Sequence, residues 1–158
     1  KINSMKKLFS AVALVTAMVL GNSVNAQSYK TGLGLMIDVG EGGTYVGPHI
    51  KHFFGKHGAG EFDVLFGSGS TAVQALFQYN DPIPGAKGLS WYIGGGPGLI
   101  FANKGGGNTF YLSPAVGLDF KVTGVPLSFS ADWRPKFFLS ENGGSTIGRF
   151  GLGFKFTL

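Results

Sequence analysis

Three histidines, His49, His52 and His57, are the side chains best suited to proton transfer or metal binding, and no cysteine accompanies them. Their spacing argues against a shared site. His49 and His52 are three positions apart, which in an extended strand sends the two imidazoles to opposite faces. His57 falls in a glycine-rich turn. The histidines thus lack the spacing and ligand count of a zinc centre. The lack of cysteine removes thiolate ligands, disulfides and cysteine nucleophiles. Nucleophilic catalysis needs a base and an orienting group within reach. No serine shares a strand end with a histidine, so an enzyme is not expected. Gly94-Gly95-Gly96-Pro97-Gly98 has the glycine content of a phosphate loop, but no Lys-Ser/Thr follows and no helix opens there. These motifs call for no cofactor.

A second constellation is more informative. Asp38, Glu61, Asp63, Asp119 and Asp132, with Lys51, Lys121, Arg134, Arg149 and Lys155, fall on the face of alternating segments that also carries the glycines. Charges enclosed in a narrow interior must pair, because an ion desolvated alone is costly. Arg134 and Arg149, on neighbouring strands, are expected to bridge to Asp132, Asp119 or Glu61. Such a network reads as a structural plug, with a narrow gated ion path as the alternative.

The elements that position these charges repeat with a period of two. Apolar faces run through Leu33 to Val39, Val46 to Phe54, Phe62 to Phe66 and Val73 to Tyr79. They continue through Leu89 to Phe101, Phe110 to Phe120, Leu127 to Trp133, and Gly148 to Leu158. The last is clearest: Phe150, Leu152, Phe154 and Phe156 oppose Arg149, Gly151, Gly153 and Lys155. Eight segments, an even number, suit a single-chain membrane barrel of short strands. Glycine-rich stretches separate most of them, and no helical period follows residue 26. Glycines on the charged face leave room for Tyr45, Tyr92 and Tyr111, as a narrow eight-stranded interior requires. A water-soluble barrel would point its apolar face inward. Pro97 and Pro114 each remove a ladder hydrogen bond; a bulge is expected beside Gly94–Gly96, and the pattern offers no account of Pro114. Trp91, Trp133, Tyr29 and Tyr79 fall near strand ends and suit interfacial aromatic girdles.

Composition agrees with an enclosed, low-charge chain. Of 158 residues, 28 are glycine and 15 phenylalanine, and only 13% are charged, about half the usual share. The N-terminus explains part of the +5 net charge. Met5 reads as the start, behind Lys1 to Ser4. Lys6 and Lys7 precede an apolar run from Leu8 to Leu20, and Val24-Asn25-Ala26 fits a cleavage site. That run is too short to cross a bilayer as a helix, which takes about 20 residues. Residues 1–26 are therefore expected to be a cleavable signal peptide, and residues 27–158 the barrel. Without Lys1, Lys6 and Lys7, the 13 Lys and Arg leave ten against eight acids. No basic run interleaves with aromatics, so no nucleic acid is expected as a partner.

With its leader, its eight segments and its final strand Arg149–Leu158, the chain resembles the small eight-stranded outer-membrane proteins of the OmpX-like and OmpA-transmembrane-like group. The resemblance is architectural and covers residues 27–158. It implies an all-β, antiparallel, up-and-down transmembrane barrel in the outer membrane of a Gram-negative bacterium. It also implies contact with outer-membrane lipids and handling by barrel-assembly machinery. Phe154, Phe156 and Leu158 resemble the C-terminal signal of such clients, with Leu158 where Phe is commonest. The glycine-rich style and Gln27 after the cleavage site are similar to barrels of the Bacteroidota. The expected role is structural, in membrane integrity or as an accessory subunit of an outer-membrane complex. A narrow pore or small-solute barrel is the alternative. If both termini face the periplasm, the outer loops are short. Only the stretch holding Lys136, Phe137, Phe138 and Leu139 offers surface for a partner, unless it extends the seventh strand.

Overall fold

The structure, a computed structural model, describes residues 29–140 and 143–158; the expected leader lies outside the described residues. Ten strand segments follow one another: β1 (Thr31–Gly40), β2 (Tyr45–Phe53), β3 (Gly58–Phe66), β4 (Ser70–Pro82), β5 (Leu89–Ala102), β6 (Asn108–Lys121), β7 (Leu127–Trp133), β8 (Lys136–Phe138), β9 (Gly144–Thr146) and β10 (Arg149–Thr157). The pairings run antiparallel in the order β5-β4-β3-β2-β1-β10-β7-β6, and β5 pairs with β6 to close the ring. β8 continues β7, and β9 leads into β10. The result is a closed up-and-down barrel of eight strands. Closure leaves no sheet edge unpaired around the wall. The two described ends meet: the Lys30 N–H donates to the Leu158 carbonyl at 3.1 Å, and the Leu158 N–H to Thr31 at 2.7 Å.

Tight turns suit the glycine-rich punctuation. Gly69, at φ 79°, sits in the left-handed region in the β3–β4 turn, which the Gly67 N–H closes on the Ser70 carbonyl at 2.9 Å. A side chain at Gly69 would be strained there. The stretch holding Lys136 takes the second of its two expected forms. Lys136–Phe138 extends the seventh strand and pairs with both β6 and β9.

The prolines find places where one ladder is interrupted without a change of register. Between β2 and β3, pairing lapses beside Pro48, from Val46↔Phe66 to His49↔Asp63. Between β4 and β5, it lapses beside Pro97, from Gln74↔Gly98 to Phe77↔Gly95. No residue is inserted there, so the bulge expected at Gly94–Gly96 is absent. Gly94 and Gly96 serve a close approach instead, since a β-carbon at either would run into the carbonyl oxygen of Phe77 or Ala75 on the next strand. Pro114 now has an account. The register on either side, Val116↔Trp133 and Leu112↔Phe137, sets it opposite Pro135, so two residues without N–H groups face one another. The Ser113 hydroxyl donates to the Pro135 carbonyl at 2.9 Å. A bulge does occur elsewhere. One more residue lies between Thr146 and Phe150 than between their partners Lys136 and Trp133. The extra residue falls at Ile147–Gly148, where the Ile147 carbonyl accepts from Trp133 Nε1 at 2.7 Å.

The wall has two contrasting faces. Phe62, Phe77, Ile93, Phe110, Val116 and Phe150 point outward and are exposed, whereas Asp38, Lys51, Asp63, Arg134 and Arg149 are buried inside. A small apolar layer of Met36, Leu65 and Ala72 packs inside, against Tyr45 and Ile100. Glycine makes room for the interior tyrosines. A β-carbon on Gly67 would stand 2.6 Å from the Tyr45 ring, and one on Gly98 would strike the Tyr111 ring. Gly98→Val is therefore expected to cost about 1–3 kcal/mol by overpacking. Gly55→Ala, with nothing within 4 Å, should leave the urea midpoint in detergent micelles unchanged.

Candidate functional site

The interior charges fall into three layers along the barrel. Nearest the described ends, Asp119 accepts from the Tyr29 hydroxyl at 2.6 Å and Lys51 Nζ at 3.0 Å, and also from the Ser128 hydroxyl. Lys155 Nζ lies 3.5 Å away. Lys51 also donates to Asn80 Oδ1 at 2.7 Å and sits 4.4 Å from the Tyr92 ring centre. Here one carboxylate faces two ammonium groups.

The middle layer is centred on Arg134. Its guanidinium grips Asp132 through Nε at 2.6 Å and through a second, close contact from its terminal nitrogen. Its other terminal nitrogen lies 3.0 Å from Glu61 and 3.3 Å from Asp63. Gln74 donates to Asp63 Oδ2 at 2.8 Å, and Gln78 to Glu61 Oε2 at 2.5 Å. The Tyr92 hydroxyl donates to Asp132 at 2.5 Å, and Tyr111 to Gln74 at 2.8 Å. His49 Nδ1 lies 2.5 Å from Asp63 Oδ1. Three carboxylates face one guanidinium.

In the third layer Asp38 pairs with Lys136 and, at 2.9 Å, with Arg149. Arg149 also donates to the carbonyls of Asp38, at 3.0 Å, and Gly43, at 3.1 Å, and makes a close contact with that of Glu41. It thereby ties the β1–β2 turn to the wall. Again one carboxylate faces two cations.

Several of these bonds cross the full width of the barrel. β3 stands opposite β7 in the ring, and β2 stands opposite β6. Arg134, just past β7, reaches Glu61 and Asp63 of β3, and Lys51 of β2 reaches Asp119 of β6. A narrow interior filled by side chains is the usual outcome at this strand number.

All ten charges singled out in the sequence lie in the interior. They do not all join the network in the expected way. Arg149 goes to Asp38, not to Asp132, Asp119 or Glu61. Lys121 meets no carboxylate and caps the β6–β7 turn, donating to the carbonyls of Val122 at 2.7 Å and Val125 at 2.6 Å. Tyr29 is not a girdle residue, because its side chain turns inward to Asp119. Trp91, Trp133 and Tyr79 do face outward, but Trp133 pairs with Val116 well inside β6 and so does not stand at the end of the continuous β7–β8 strand. Sequence reasoning missed Lys136, placed in a loop, although it follows Arg134 by two positions and so shares its face. Gln74 and Gln78 carried no charge to draw attention. His52 points outward and bonds Thr31 Oγ1 at 2.8 Å; His57 stacks on Tyr79 with ring centres 5.0 Å apart. At the C-terminal end Phe154 and Phe156 face outward, and Leu158 is half-buried.

Comparison with protein-family models, curated proteins and solved structures finds no match for this chain.

Proposed function

We propose that this chain is a small integral outer-membrane barrel with a plugged interior, acting in membrane integrity or as an accessory subunit of an outer-membrane complex. The observation that carries the reading is the inverted distribution of polarity. Paired charges fill the inside, and large apolar side chains such as Phe77, Phe110 and Ile93 cover the outside. In water so large an apolar exterior would drive aggregation; in hydrocarbon it is the stable arrangement, provided every strand edge is paired. The leader expected over residues 1–26 supports export. The outward Phe154 and Phe156 support a role in recognition by assembly machinery.

Plugging has an electrostatic rationale beyond filled space. The layers with cations in excess stand at either side of one with carboxylates in excess. A mobile cation meets repulsion at both ends, and with the side chains alone an anion meets it in the middle. The interior is accordingly read as non-conducting.

Refolded protein in a planar bilayer should give no steady unitary openings, and its unheated and boiled forms should migrate differently on a gel. Discrete, sustained openings would favour the narrow-pore alternative. A protein that stays dispersed without detergent and shows no heat-dependent migration would remove the membrane assignment.

A further inference from the structure

The middle layer is not balanced by its own side chains. Glu61, Asp63 and Asp132 face Arg134 alone, and all four are buried. Two negative charges lack a partner unless His49 carries a proton, and even then one remains. Uncompensated buried charge is expensive.

The hydrogen bonding there is also incomplete. Among the described residues, Gln78 Oε1 has no hydrogen-bond partner, and Glu61 Oε1 makes no aligned hydrogen bond although Arg134 lies 3.0 Å away. The orientation of the carboxylates is also specific. Gln74 holds Oδ2 of Asp63 and Gln78 holds Oε2 of Glu61, which leaves Oδ1 turned toward His49 and Oε1 between His49 and Arg134. His49 Nδ1 lies 2.5 Å from the first and 3.8 Å from the second. Glutamine amides that fix the outer oxygens of carboxylates are what the surroundings of a metal centre supply.

We propose that His49, Asp63 and Glu61 form a binding site for one divalent first-row transition ion of the zinc type. An imidazole with two carboxylates is a donor set that suits such an ion. Ligand atoms around tetrahedral zinc stand roughly 3.3 Å apart, given bonds of about 2.0–2.1 Å. The 2.5 Å and 3.8 Å separations lie on either side of that value. One divalent ion also neutralises the two unpartnered charges. Arg134 has only to withdraw one terminal nitrogen from Glu61, since Nε and its other terminal nitrogen keep hold of Asp132. The sequence hid the site because the histidines do not pair with each other. The partners of His49 lie on the adjacent strand, where His49↔Asp63 is a registered pair and Glu61 shares the inward face.

The test uses untagged protein refolded in detergent micelles, stripped with EDTA and desalted, then titrated with Co2+ and with Zn2+. A visible ligand-field band should saturate at one equivalent of Co2+ and be displaced by Zn2+. His49→Asn should abolish the band, while heat-dependent gel migration persists. Gln74→Leu, which removes the nearer of the two donors to Oδ2 of Asp63, should weaken Zn2+ binding about tenfold. If His49→Asn does not fold, His49→Gln takes its place and the wild-type stoichiometry still decides. Folded wild-type protein with no saturable uptake of either ion overturns the site, as does undiminished binding in a folded His49 variant.

Discussion

Arg134→Met is expected to destabilise the folded barrel by about 3–5 kcal/mol, the range for removing one member of a buried ion pair. The loss comes less from the bonds broken than from what remains. Without the guanidinium, Glu61, Asp63 and Asp132 are left facing one another in a space from which solvent is excluded. Lys136→Met is a matched comparison. It also removes a buried cation, but Asp38 keeps Arg149 at 2.9 Å and that layer sheds an excess positive charge. Its cost should stay near that of one charged hydrogen bond, about 1.5–3 kcal/mol. The triple replacement Glu61→Gln, Asp132→Asn, Arg134→Met removes two of the stranded charges with the cation and should recover at least half of the single-variant loss. Urea unfolding in micelles containing EDTA, followed through Trp91 and Trp133 fluorescence, measures all three. An Arg134→Met midpoint equal to wild type would show that the network does not hold the wall together.

The barrel itself was legible because its two faces differ at almost every position. Phe150, Leu152, Phe154 and Phe156 against Arg149, Gly151, Gly153 and Lys155 leave no ambiguity about strand or period. Which residues would be interior was readable for the same reason. Which interior residues would meet was not. Partners such as Lys51 and Asp119 lie on opposite strands, and their meeting depends on the stagger of every strand between them. Register also decided the prolines. Pro114 was unexplained until the pairing set it opposite Pro135, and two residues far apart in sequence carry no local sign of that. Tyr29 was misassigned for a related reason. Outside any alternating run, its direction is set by the hydrogen bond to Asp119.

Val116→Arg separates a barrel in lipid from a barrel in water. Val116 is 49% exposed near the middle of β6, with Ile93 and Trp133 as its registered neighbours. In water, arginine at so open a position changes stability by no more than about 0.5 kcal/mol. At the hydrocarbon midplane of a membrane barrel the same substitution costs about 2–4 kcal/mol, and the cost falls toward zero at the interfaces. Val125, 41% exposed in the turn between β6 and β7, supplies the second depth. With the protein refolded into phospholipid vesicles, Val116→Arg should lower the unfolding free energy by about 2–4 kcal/mol and Val125→Arg by less than about 1 kcal/mol. The contrast depends on depth, not on exposure, since both valines are similarly open. Equal, small effects at the two sites would remove the bilayer from the account and leave the apolar exterior to be covered by another protein surface.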